Sequence, residues 1–398
     1  MNFTTTQPEL KRLAALLRPL GLPKSSLPVL THLRLEANGS GITAYATDLE
    51  TALIAPLQPT QIDPDPSFHA SLPVEFLLRV AREADKDTSI TWALADSQLE
   101  LRWSSQGVPM HESAPCLPHH DFPAIDTSGH EHGLWVGAPL LEAFRQALSH
   151  VSEDTTRHVL MGVFLDHEDH RIVATDGRRL FCSRSPVALP CSVIIPTAAA
   201  SFLADHMGEE GPIWFKTPPA GEGQVPYASS IYARLAGNAF YTCKTIEGVF
   251  PRYQQVIPWS SLPHEAHLTM ERDTLLKQLR HVSSVDARLA FRMGDGILAI
   301  CYRPTPQRPF TDWIAVGTTA YQGPAVVSAF CGAYFTQAIQ SLTSPVLRFL
   351  DELSPIMLES GPALTVIMPM RIEGEGLPDP TRLLANRASV PPVFPPAT

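Results

Sequence analysis

Ile172-Val173-Ala174-Thr175-Asp176-Gly177-Arg178-Arg179-Leu180 lies near the middle of a 398-residue chain. It reads as a strand that enters a tight Asp-Gly turn and leaves it as a second strand. An earlier stretch, Ile42-Thr43-Ala44-Tyr45-Ala46-Thr47-Asp48-Leu49-Glu50, repeats the Ala-Thr-Asp core. Two such turns at similar places in two blocks point to a repeated domain.

Working outward from the turns, three segments share one order of a short strand, a cap and an amphipathic helix. The helices are expected over Pro8–Leu17, Pro139–Val151 and Asp273–Val282, so their starts recur about every 130 residues, a domain-sized period. A second helix follows in each block. Ser71-Leu72-Pro73 opens one running to Ala84, Ile195-Pro196-Thr197 one to Met207, and Phe330-Cys331-Gly332 one to Leu342. Proline suits a helix start because its missing N–H would be unpaired there in any case. Strand-like runs such as Leu99–Trp103 and Ile231–Leu235 lie between the helices. The expected class is therefore α+β, with three similar domains of two helices and antiparallel sheets. The expected boundaries are 1–125, 132–252 and 260–372, followed by a Pro-rich tail over 373–398, with one short helical turn near Thr381–Asn386.

Hydrophobic residues make up 44% and charged residues 18%, an ordinary globular balance. No apolar run reaches the ~18 residues of a membrane span. The start lacks the basic and apolar regions of a secretory leader, and the six cysteines are scattered with no C-x-x-C. A reduced, cytoplasmic protein without membrane contact is expected. The net charge of −10 argues against simple electrostatic adsorption on nucleic acid. Basic side chains nevertheless recur on the polar faces of the helices: Lys11 and Arg12, Arg79 and Arg82, Arg145, Lys277 and Arg280. A solvated face accounts for any one of them, while recurrence in three blocks favours a shared basic surface.

With these elements in place, the motifs resemble those of the bacterial DNA polymerase III beta subunit, the beta sliding clamp family, over residues 1–372. The carrying residues are Leu27-Pro28-Val29-Leu30, Ala46–Glu50 and Asp121-Phe122-Pro123 in the first block. Arg157, Leu160-Met161-Gly162 and Val173–Leu180 follow in the second. Gly248–Tyr253 with Val256-Ile257-Pro258 leads into the third, which closes on Val366-Ile367-Met368-Pro369-Met370-Arg371-Ile372.

The resemblance implies a head-to-tail homodimer, a six-domain ring lined by helices, through which double-stranded DNA passes without sequence recognition. It implies a processivity factor rather than an enzyme, with no cofactor. Its partners would be the DNA polymerase III alpha subunit, the clamp loader and other proteins with clamp-binding motifs. Lys24 and Arg157 join the basic residues above as expected DNA contacts. A peptide pocket is implied between the second and third domains, lined by Leu160, Thr175, Gly177, Arg178, Leu180, Pro251, Val256, Val366, Met368, Pro369 and Met370. Methionines beside aliphatic side chains suit a cleft that accepts several partners.

Some positions depart from the family pattern. Arg178 stands where histidine is usual, Arg252 where aspartate is common and Gln255 where arginine is common. The expected subunit-contact strand, near Val108 to Ala114, carries His111, Glu112 and Ala114 where bulky apolar residues are usual. Its expected third-domain counterpart has Val285 and Asp286. These changes keep a second reading open, a clamp-like adaptor or auxiliary clamp that binds the same peptides without a stable closed ring. An enzyme has little support, because the chain carries no phosphate loop, G-x-S-x-G or H-E-x-x-H. Asp166-His167-Glu168-Asp169-His170 and His130-Glu131-His132 hold metal-ligand residue types, but a solvated hairpin tip and an inter-domain bridge are the simpler readings.

Overall fold

All six amphipathic stretches form helices: α1 Gln7–Leu17, α2 Val74–Glu83, α3 Ala138–Leu148, α4 Thr197–His206, α5 Arg272–Leu279 and α6 Gly332–Ser341. A short α7 follows at Thr381–Ala385. The structure is a computed structural model that describes residues 2–21, 26–38, 41–63, 68–95, 98–129, 132–218, 227–258, 262–371 and 376–385. Local chemistry fixes the helix starts. Thr6 accepts from the Glu9 N–H at the head of α1, and Glu271 accepts from the N–H groups of Asp273 and Thr274 at the head of α5. The apolar faces point into the core: Leu10, Leu13, Leu16 and Leu17 of α1, and Leu77, Val80 and Ala81 of α2, are buried. Each full side chain of this kind stabilises the fold by roughly 1.5–3 kcal/mol on burial.

Two compact units result. The first holds Met1–Glu142 and Val187–Glu247, the second Ala143–Pro186 and Gly248–Thr398. They cut through the expected central block, and strand pairing gives the reason. In the first unit, Thr51–Leu57 pairs antiparallel with Phe240–Lys244, so first-block and second-block strands share one eight-stranded sheet. In the second, Arg179–Arg184 pairs antiparallel with Ala363–Ile367 in the same way. A separate five-stranded sheet in the first unit ends at the edge strand Val108–Pro115. Within the first unit α1 packs on α2, and Phe3 stacks on Trp92, whose indole donates to Thr5 Oγ1 at 2.8 Å. Within the second, α5 packs on α6 and Phe291 meets Phe330 and Phe335 edge-on. All six cysteines are free thiols.

The two Ala-Thr-Asp turns are built alike, atom for atom. Thr47 Oγ1 donates to the Thr51 carbonyl at 2.7 Å and accepts from the Leu49 N–H at 3.0 Å. Thr175 Oγ1 donates to the Arg179 carbonyl at 2.6 Å and accepts from the Gly177 N–H at 3.0 Å. Asp48 Oδ1 receives the N–H groups of Glu50 and Thr51, as Asp176 Oδ1 receives those of Arg178 and Arg179. Leu49 and Gly177 occupy the same left-handed position, at φ 78° and 86°. The expected tight Asp-Gly turn is a hairpin loop organised by an aspartate side chain. A two-residue Asp-Gly turn does occur, at Asp295-Gly296, with φ 54° and 79° between Arg288–Gly294 and Ile297–Arg303.

Candidate functional site

The second of these turns forms one wall of an apolar cleft of about 140 Å³ within the second unit. Four pieces of chain converge there. Thr175, Gly177, Arg179 and Leu180 come from the hairpin, and Leu160 ends the 3-10 segment Thr155–Leu160. Pro251, Arg252, Tyr253 and Val256 come from the segment where the central block ends, and Val366 and Met368 from the strand Ala363–Ile367 and just beyond it. Leu180 and Val366 face each other in register at the floor and are buried. At the rim, Val256 is 44% and Met368 40% exposed. An apolar floor with a half-exposed aliphatic and thioether rim suits the side chains of a linear peptide.

The walls are held by polar contacts behind them. The Met368 N–H donates to the Arg178 carbonyl at 3.0 Å, fixing the strand end to the hairpin. The Tyr253 hydroxyl donates to Asp166 Oδ2 at 2.7 Å and also reaches Asp169 Oδ2 at 3.3 Å. Burial, reinforced by Asp166, pushes the Tyr253 phenol far above its ordinary range. Gln254 Nε2 donates to Asp169 at 2.8 Å, and Phe250 stacks on Phe164 at 4.7 Å. The acidic tip around Asp166 therefore works as a bracket for the cleft wall. Among the described residues no three His, Cys, Asp or Glu side chains are grouped to hold a metal ion. Residues 130 and 131 of the second histidine motif lie outside the described residues.

Arg179 braces the hairpin from behind. It pairs with Asp176 at 3.2 Å, donates to Gln337 of α6 and to the Ser149 carbonyl, and lies 4.2 Å above the Tyr334 ring. His150 sits beside it, fully buried, with Thr365 Oγ1 3.3 Å from Nε2. Desolvation, with repulsion from Arg179, lowers the His150 pKa to about 3, so the ring is neutral.

Eight of the eleven pocket residues expected from the sequence line this cleft. The other three do not border it. Arg178 is exposed and does not line the cleft, although its carbonyl holds the Met368 N–H beside it. Pro369 and Met370 have passed the cleft, and the Met370 N–H donates to the Ala329 carbonyl at 2.7 Å. Arg179, Arg252 and Tyr253 also line the cleft, in addition to the eleven residues named for it. The signal for Tyr253 was its place next to the Phe250-Pro251 pair. For Arg179 only the tertiary partners decide.

The expected DNA-contacting bases are in varied states. Lys11, Arg82, Arg145, Lys277 and Arg280 are exposed on their helices or just after them. Arg12 is drawn inward instead, donating to both oxygens of Glu9 at 2.8 Å and to the Pro56 carbonyl at 2.6 Å. That pairing raises its pKa. Arg79 is pinned to Glu112 of the edge strand at 2.6 Å, and Arg157 to Asp154 at 3.0 Å. Lys24 lies outside the described residues.

These features define a protein of the clamp fold, with an apolar peptide-sized cleft supported by one of its repeated hairpins. Solved clamps match it closely. A Pseudomonas aeruginosa sliding clamp crystallised with griselimycin superposes at a TM-score of 0.78, covering 94% of this chain and 100% of that one at 20% identity. A Caulobacter crescentus beta sliding clamp, with polyethylene glycol at its putative beta-motif tethering region, gives 0.77, covering 94% and 99% at 20% identity. In sequence, the beta sliding clamp of Caulobacter vibrioides is 26% identical over 389 residues, 90% of this chain and 98% of its own. That of Escherichia coli is 25% identical over 393 residues, 94% and 100% respectively. No family profile matches the chain. The chain is thus similar to bacterial beta sliding clamps along nearly its whole length, in sequence and in fold.

Proposed function

We propose that this chain is a non-catalytic DNA sliding clamp of the cytoplasm. Two copies join head to tail into a ring around duplex DNA. The cleft then tethers the DNA polymerase III alpha subunit, the clamp loader and other proteins carrying clamp-binding motifs. The observation that carries this reading is the match to beta sliding clamps along nearly the whole chain, in sequence and in fold together. The net charge of −10 is compatible with it. An encircling protein is retained by topology, and each tight phosphate contact would add salt-dependent affinity that opposes sliding. Exposed bases such as Lys11, Arg82, Arg145, Lys277 and Arg280 supply loose, non-specific contacts, and no side chain is needed to read bases.

The adaptor reading differs in assembly. It draws on the edge strand Val108–Pro115, where Glu112 is engaged by Arg79 and His111 is exposed. Light scattering at micromolar concentration separates the two. The clamp reading expects about 87 kDa, twice the 43.5 kDa of one chain. A stable monomer at that concentration supports the adaptor instead.

A further inference from the structure

The chain does not leave the fold after the cleft. Past Met368 it pairs through Met370 with Ala329 of the strand Val326–Cys331. It then returns to the same patch of sheet. Leu377 packs with Phe310 and Trp313 over a floor of Ala290, Cys301 and Ala329, three small buried side chains. The Trp313 indole donates to the Pro378 carbonyl at 2.8 Å. Asp379 caps α7 by accepting from the Thr381 N–H at 2.9 Å, and Arg382 lies 3.9 Å from Asp312. The segment is therefore tied down at a point that shares Ala329 with Met370, only two residues from the cleft rim.

Beyond this anchor come residues 386–398, Asn-Arg-Ala-Ser-Val-Pro-Pro-Val-Phe-Pro-Pro-Ala-Thr, which lie outside the described residues. They carry one charge, Arg387, and an apolar pair, Val393-Phe394, set between two proline pairs. Phe394 is the only aromatic residue after Phe349. We propose that Val393-Phe394 is an internal ligand of the apolar cleft, occupying it in cis and competing with partner segments. This rests on the reading of the cleft as a peptide site.

Reach, chemistry and tethering all favour it. Phe394 lies nine positions after Ala385, a reach of up to about 30 Å when extended, comparable to the width of a domain of ~110 residues. The cleft is floored by Leu160, Leu180 and Val366, which match an uncharged aliphatic-aromatic pair. The flanking prolines narrow the free conformations and so lower the ordering cost on docking. A short tether gives an effective concentration in the millimolar range, so even a weak intrinsic ligand occupies the site for much of the time.

The test uses the full chain, a chain ending at Ala385 that keeps every anchoring contact, and a full chain with Phe394→Asp. A labelled synthetic peptide of residues 386–398 is titrated into each, with griselimycin as a second probe. The peptide is expected to bind the shortened chain, to lose that binding with Met368→Asp, and to bind the full chain about three- to tenfold more weakly. Griselimycin is expected to bind the shortened chain and F394D more tightly than the full chain, by a similar factor. If griselimycin binds all forms equally and the peptide binds none, the internal-ligand proposal falls and the cleft reading stands. If neither probe binds any form, both fall.

Discussion

His150 shows what one buried side chain does to the pH response of the fold. Its pKa is about 3 in the native state against an ordinary 6.5. The unfolded chain therefore binds the proton first as pH falls, so this contribution is complete above 6.5 and is lost steadily below it. The expected loss is about 1.4 kcal/mol per pH unit between 6.5 and 3. Urea unfolding at pH 7.5 and pH 5.0 should differ by about 2 kcal/mol more in the native chain than in His150→Gln. An equal difference in both would remove His150 from the account. The turn positions give a second contrast at this scale. A Cβ on Gly177 would lie 2.7 Å from the Arg157 guanidinium, at a φ that disfavours side chains, so Gly177→Ala should cost at least ~1 kcal/mol. At the equivalent position Leu49 already bears that strain and is 49% exposed. Leu49→Gly should stay within about 0.5 kcal/mol of neutral, as strain relief offsets lost packing. Thermal melts of the two variants check the asymmetry.

Among the elements, the helices were the most legible part of the sequence, because an apolar stripe and a proline or polar start are local signals. Even there, tertiary partners decide individual residues. Arg12 has the spacing of a solvent-facing base, yet Glu9 and the Pro56 carbonyl draw it inward. The Asp176-Gly177 pair marked the hairpin, but the hydrogen bonds of Thr175 and Asp176 that organise it appear only in the fold. Leu49 in the first copy was the clue that the glycine is permitted there and not required. Most of the cleft was legible through Thr175, Leu180, Pro251, Val366 and Met368. Its bracket was not, since Asp166 and Tyr253 are 87 residues apart and their bond exists only in the fold. That bond has a measurable consequence. Tyr253→Phe leaves buried Asp166 short of a donor and should cost about 1–2 kcal/mol, loosening one wall of the cleft. Peptide affinity of the cleft should fall with it. A variant as stable as the native chain, with unchanged affinity, would contradict the bracketing role. At the rim, Met368→Asp and Val256→Asp should abolish peptide binding without loss of thermal stability, because both side chains are partly exposed. Leu180→Asp is a poorer probe, since a carboxylate at that buried site would disturb the fold itself.

For the whole molecule, the sequence period of about 130 residues predicts three similar blocks, whereas the compact units follow strand pairing. Thr51–Leu57 and Arg179–Arg184 each join their sheet to strands of the neighbouring block, so two of the three sheets are shared between blocks. Such pairings are non-local and leave no periodic trace in the sequence. The acidic total and the partial neutralisation of Arg12, Arg79 and Arg157 by carboxylates also argue at this scale. A protein that held DNA by charge alone would leave those guanidiniums available. Retention on DNA should accordingly show a shallow salt dependence once the protein is loaded. The most direct measurement compares retention on closed circular DNA with retention after a single double-strand cut. Loaded protein should remain on the closed circle through gel filtration in moderate salt and be lost from the linearised molecule. Equal loss from both forms would contradict the encircling clamp.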